Sequence, residues 1–110
     1  MWSRNDPVTL FGAAVSNSGW DDVSRTFDWL GSIFSDCTSY DFEIMAADAS
    51  GDFAYTVGYE HTTASMNGVP QAYTLRVTHI YRREDGEWKV VHRHADPVGT
   101  VNVPSAPDQL

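Results

Sequence analysis

Cysteine is nearly missing from this chain: Cys37 stands alone among 110 residues. One thiol makes no internal disulfide, and a reducing cytoplasm is the expected home. No apolar run approaches the roughly 18 residues a helix needs to cross a bilayer. The opening MWSRNDPVTL has neither the basic start nor the apolar stretch of a signal peptide. Positive charge is scarce too, with 7 Lys and Arg against 15 Asp and Glu and a formal net charge of −8. That balance argues against a nucleic-acid partner, which would need clustered cations facing phosphate. Repeats are absent, and nothing marks a second folded domain.

What is present is apolar mass: hydrophobic residues make up 42% and aromatics 13%, enough for one core. Val8 to Phe11 reads as a short strand, and Gly12 to Gly19 as a loop. Ser18 followed by Asp21 is a helix-start pattern. Trp20, Val23, Phe27, Leu30 and Phe34 then recur at spacings of three and four, an apolar stripe on a helix from about Trp20 to Ser35, widened by Trp29 and Ile33. From Thr38 the period becomes two. Turns at Ser50-Gly51-Asp52, Asn67-Gly68 and Asp85-Gly86 divide the remainder into four strands. A domain over 1–96 with a Pro-containing arm over 97–110 follows. The class is α+β, with an antiparallel sheet and one amphipathic helix on its face.

Centring the hairpins on their turns places Glu60 near Arg76, His79 near His92 and Val77 near His94. On that register His61, His79, His92 and His94 share one face with Tyr55, Val57, Tyr59 and Trp88. The helix is expected to cover this face, and a concave aromatic surface with a few polar tips is what a small-molecule pocket looks like. Glu60 and Arg76 are expected as a cross-strand ion pair on the opposite face.

Gly86-Glu87-Trp88-Lys89-Val90-Val91-His92-Arg93-His94 resembles the ending common in SnoaL-like proteins, and is similar to that of the association domain of calcium/calmodulin-dependent protein kinase II. Arg76 to Arg83 ahead of it fits the same pattern. Asp52 to Glu60 resembles a strand of ketosteroid isomerases, and Asn17-Ser18-Gly19-Trp20 fits the start of their helix. The resemblance runs from about Trp2 to Asp96 and implies the nuclear transport factor 2-like, cystatin-like fold: a cone-shaped, strongly bent sheet wrapped around a helix. The N-terminal helices usual in the family are not expected in this chain, and because the aromatic face would otherwise be left wet, a homodimer, or segments of a partner lying over the open mouth, is expected. At the position of the steroid isomerases' catalytic aspartate stands Leu10, so classical steroid isomerisation is not expected.

Two uses of the histidines compete. Three imidazoles can hold zinc, but the family is usually metal-free, and neither metal nor cofactor is expected. As an acid or base near neutral pH, an imidazole suits proton transfer beside a carbonyl. His79 is the first candidate for that catalytic role, because the resemblance places it near the family's oxyanion-binding position; His94 is the second. A tyrosine, Tyr55 or Tyr59, would stabilise the enolate. Trp20, Phe27, Tyr55, Val57, Tyr59, His61 and His92 are expected to line the ligand site. Asp96 either resembles the late-strand aspartate of SnoaL-like cyclases or simply ends its strand before Pro97. The expected function is binding of a small hydrophobic or carbonyl-containing molecule, with acid–base isomerase or cyclase chemistry as one outcome and a non-catalytic binding or oligomerisation module as the other.

Overall fold

The computed structural model describes residues 1–12 and 15–98. Along the chain come β1 (Thr9–Gly12), β2 (Ser16–Ser18), α1 (Trp20–Ile33), β3 (Phe34–Ser50), β4 (Phe53–Met66), β5 (Val69–Glu84) and β6 (Glu87–Pro97). The strands form one six-stranded sheet in the order β2-β1-β6-β5-β4-β3. β1 runs parallel to β6 and every other pairing is antiparallel. The segment over 12–19, expected as a loop, contributes the short strand β2. The arm expected from Pro97 lies almost wholly outside the described residues; Pro97 closes β6, and the Val98 amide donates to the Thr74 carbonyl at 2.9 Å.

The helix begins differently from its sequence signal. Ser18 belongs to β2, and Gly19, at φ 89°, precedes the helix without capping it by a side chain. Asp6 supplies the acceptor instead, its carboxylate taking the Trp20 amide at 2.8 Å. Asp21 and Asp22 face the positive end of the helix, as read from sequence. Val23 is fully buried against Val8, Leu10 and Val91, with Trp2, Val15, Trp20 and Phe27 packed around them. Trp29, expected to widen the buried stripe, is instead 53% exposed.

The sheet is curled, in keeping with the expected bent α+β architecture. Irregularities fall between Ile44 and Ala46 on β3 and between Ile80 and Tyr81 on β5, where Val91 is the extra residue of β6. Gly58 sits under the first of these. A Cβ there would meet the Glu43 carbonyl oxygen at 2.1 Å, so only glycine lets β3 pass this close.

Register decides the faces, and here the expectation is corrected. Met66 pairs with Val69 across Asn67 and Gly68, both at positive φ. Glu60 therefore lies opposite Leu75, and Tyr59 opposite Arg76, one residue from the expected pairing. In β6 the extra Val91 shifts the later pairs, so His79 faces Arg93 and Thr78 faces His94. A slip of one residue moves every side chain to the other face. Leu10, Val91 and the helix mark the inner face, which carries Thr56, Gly58, Glu60, Tyr73, Val77, His79, Tyr81 and Arg93. The outer face carries Tyr55, Val57, Tyr59, His61, Ile80, His92 and His94. The four histidines do not share a face.

Candidate functional site

Alternation along four strands brings one polar cluster to the inner face. Phe42 and Tyr40 on β3 pair with Glu60 and Thr62 on β4. His79 on β5 stands between Thr56 of β4 and Arg93 of β6. Arg93 grips Glu60 with both arms of its guanidinium, donating to the two carboxylate oxygens at 2.7 and 2.8 Å. The Tyr40 hydroxyl donates to the same carboxylate at 2.9 Å. The Glu60 side chain is only 7% exposed and that of Arg93 20%. Burial by itself would raise the Glu60 pKa; the bonds and charge of Arg93, helped by Tyr40, outweigh it and hold the carboxyl below its ordinary value. The expected surface pair of Glu60 with Arg76 is thus replaced by an inner pair with Arg93.

The same guanidinium donates to His79 Nε2 at 3.0 Å. Arginine has no lone pair to offer, so Nε2 must be the acceptor and the ring proton of neutral His79 sits on Nδ1. Burial first, and the Arg93 charge second, lower the His79 pKa to about 4. A titration near neutral pH, the premise of its expected acid–base role, therefore does not apply to this residue. Its Nδ1 is buried and has no hydrogen-bond partner, the one such side-chain atom among the described residues. A buried N–H without an acceptor is costly unless something supplies one. Phe42 stacks near the ring at 6.0 Å, and Tyr81 lies 5.8 Å away, tilted. Next to the cluster a groove of about 410 Å³ is lined by Ala47, Ala54, Thr56, Tyr81 and Trp88, among others.

The other proposed ligand residues are dispersed. His92 and His94 lie on the outer face, where Phe11 meets both rings edge-on. His92 Nδ1 is 2.6 Å from the Thr9 hydroxyl, and burial, then His94, lower its pKa. His94 stands 3.0 Å from Asp96 and is half exposed. His61 bonds Thr74 and Glu43 at 3.0 and 3.2 Å and, with Tyr59, lines an open cavity of about 740 Å³ at the outer rim. Val57 and Tyr55 border smaller outer grooves, and Tyr55 also lines the groove beside the cluster. Trp20 and Phe27 line a separate cleft beside the N-terminal segment. No three His, Cys, Asp or Glu among the described residues come together to hold a metal.

Sequence reasoning missed Arg93, Glu60, Tyr40 and Phe42 as members of the site. The one available signal was Val90-Val91, two adjacent apolar residues in an alternating strand, which is where a bulge reverses the faces.

The model of the SnoaL-like domain matches residues 1–98. No curated protein matches the chain. Among solved structures, a nuclear transport factor 2-like superfamily protein from Salmonella enterica superposes with a TM-score of 0.79 at 21% identity, covering 97% of this chain and 79% of that one. A ketosteroid isomerase-like protein from Erwinia carotovora atroseptica gives 0.73 at 16% identity, with 87% and 76% covered. A nuclear transport factor 2-like protein with a cystatin-like fold from Novosphingobium aromaticivorans gives 0.66 at 13%, with 92% and 67% covered.

Proposed function

This chain belongs to the SnoaL-like family, whose fold is a small-molecule-binding one, and on that premise we propose that its inner face binds a small, largely apolar molecule through a carbonyl or hydroxyl oxygen. The observation that carries the reading is the buried Nδ1–H of neutral His79 with no acceptor. Arg93 fixes the tautomer, and Glu60 cancels the Arg93 charge. What the cluster offers a ligand is therefore one neutral hydrogen-bond donor among rings, which favours an uncharged oxygen over an anion. Phe42 and Tyr81 are the rings beside that imidazole, and a ligand reaching the buried atom requires a neighbouring side chain to move.

The cluster supports binding more than proton abstraction. An imidazole with a pKa near 4 is a weak base, and both Glu60 oxygens are already engaged. His94, the second catalytic candidate, faces away from the helix and is paired with Asp96. Acid–base turnover stays the alternative: polarisation of a carbonyl by a neutral imidazole is an established catalytic device. A panel of uncharged cyclic ketones and alcohols, followed by amide and imidazole NMR shifts, tests the reading. Saturable shifts at His79 and at the amides of its neighbours Phe42, Tyr81 and Arg93, with the neighbours' shifts lost in His79→Phe and kept in His94→Gln, support it. Shifts confined to the outer face, or unchanged in His79→Phe, contradict it. Chemical conversion of a bound ketone would favour the enzyme alternative.

We also propose a homodimer through the outer face. Phe11 of β1, Phe53, Tyr55 and Val57 of β4 and Ile80 of β5 are exposed there, and apolar surface left wet forgoes about 25 cal/mol per Å². The described residues contain no helix long and apolar enough to cross a membrane, and a cytoplasmic location is proposed from the lone, exposed Cys37.

A further inference from the structure

We propose a second ligand site, for a small planar aromatic carboxylate, in the cleft where the N-terminal segment meets α1 and β6. The cleft holds about 410 Å³ and is lined by Trp2, Arg4, Asn5, Trp20, Phe27 and Lys89, together with Met1. Its rings are already ordered against one another: Trp2 meets Phe27 edge-on at 5.3 Å, and the Arg4 guanidinium lies 5.6 Å above the Trp20 ring. The indoles offer flat apolar surface, and an aromatic ring stacks on it.

Charge makes the site selective. The chain carries 7 Lys and Arg against 15 Asp and Glu, so an unneutralised cation is uncommon here. Arg25, Arg82, Arg83 and Arg93 each pair with a carboxylate. Among the described residues, Arg4, Arg76 and Lys89 have no carboxylate within 4 Å, and two of these three meet in this one cleft. No carboxylate of the described residues lines it. The nearby Asp6 is occupied by the Trp20 amide, and Glu84 by Ser3, Asn5 and Arg82. A guanidinium fork and an ammonium together recognise a carboxylate, while the tryptophans hold the ring that bears it. This site is independent of His79, which offers a neutral donor and disfavours an anion.

Titration with 1-naphthoate and with 1-naphthamide, followed by tryptophan fluorescence, tests the proposal. The acid is expected to bind about tenfold more tightly than the amide, and more weakly as salt rises from about 20 to about 500 mM. Arg4→Gln with Lys89→Gln should weaken the acid about tenfold and leave the amide unchanged, while Arg76→Gln changes neither. Arg4 is exposed, so Arg4→Gln alone decides the matter if the double variant fails to fold. Equal affinity for acid and amide, no saturable response up to millimolar acid, or an equal loss in Arg76→Gln would overturn it.

Discussion

On the inner face of the sheet, one histidine lies beside an arginine in a buried network that leaves a single N–H without an acceptor. On the outer face three histidines stand beside hydroxyls or carboxylates, partly in water, amid exposed aromatic rings. The same residue type is thus kept neutral and directional on one side and left adaptable on the other. Burial and proximity to Arg93 make the difference, and a one-residue bulge at Val91 decides which histidine receives which environment. An enclosed face with a fixed donor suits recognition of a small molecule; an exposed, aromatic, charge-balanced face suits a second protein surface.

The largest expected effect breaks the inner network. Arg93→Met leaves Glu60 buried without its counter-ion, and chemical denaturation should show a loss of about 3–5 kcal/mol. Adding Glu60→Gln should restore much of it, because the uncompensated charge rather than the missing contact dominates. Next comes the bend that shapes this face: Gly58→Ala drives a methyl into the Glu43 carbonyl and the Phe42 ring, with an expected loss of about 1–3 kcal/mol by thermal unfolding.

A smaller effect separates the faces by pH. His79 has a folded pKa near 4, against about 6.5 unfolded. Between those values the unfolded chain binds a proton that the folded chain refuses. Stability is therefore complete above about pH 6.5 and falls as pH drops toward 4, by about 2 kcal/mol after allowance for solvent screening. His79→Gln should flatten most of that slope. The lowered pKa of His92 acts in the same direction and leaves a residual slope in the variant. The smallest stability change belongs to the outer face: Ile80→Lys should alter monomer stability by less than about 0.5 kcal/mol, yet light scattering should show the dimer lost.

The helix, the hairpin turns and the family were legible because each rests on local pattern. Trp20, Val23 and Phe27 recur at helical spacing, and Asn67-Gly68 and Asp85-Gly86 adopt the positive φ that tight turns require. The site was less legible because it depends on parity across strands. Placing Glu60 opposite Arg76 instead of Leu75, and treating β6 as regular through Val91, each reversed a face. His79 is legible from its position in the family pattern, but its environment is not, since regular alternation through Val91 puts Arg93 on the face opposite to His92, His94 and His79. Asp6 as the acceptor at the helix start was equally hidden, lying 14 residues before the amide it serves.

The protonation of His79 tests the central claim most directly. Two-dimensional ¹⁵N–¹H NMR of the imidazole rings across pH 3.5 to 8 reads both tautomer and titration. The account predicts a His79 ring neutral at pH 7 with its proton on Nδ1, titrating near pH 4. A His79 ring that carries its proton on Nε2, or that titrates near the unperturbed 6.5, would contradict it.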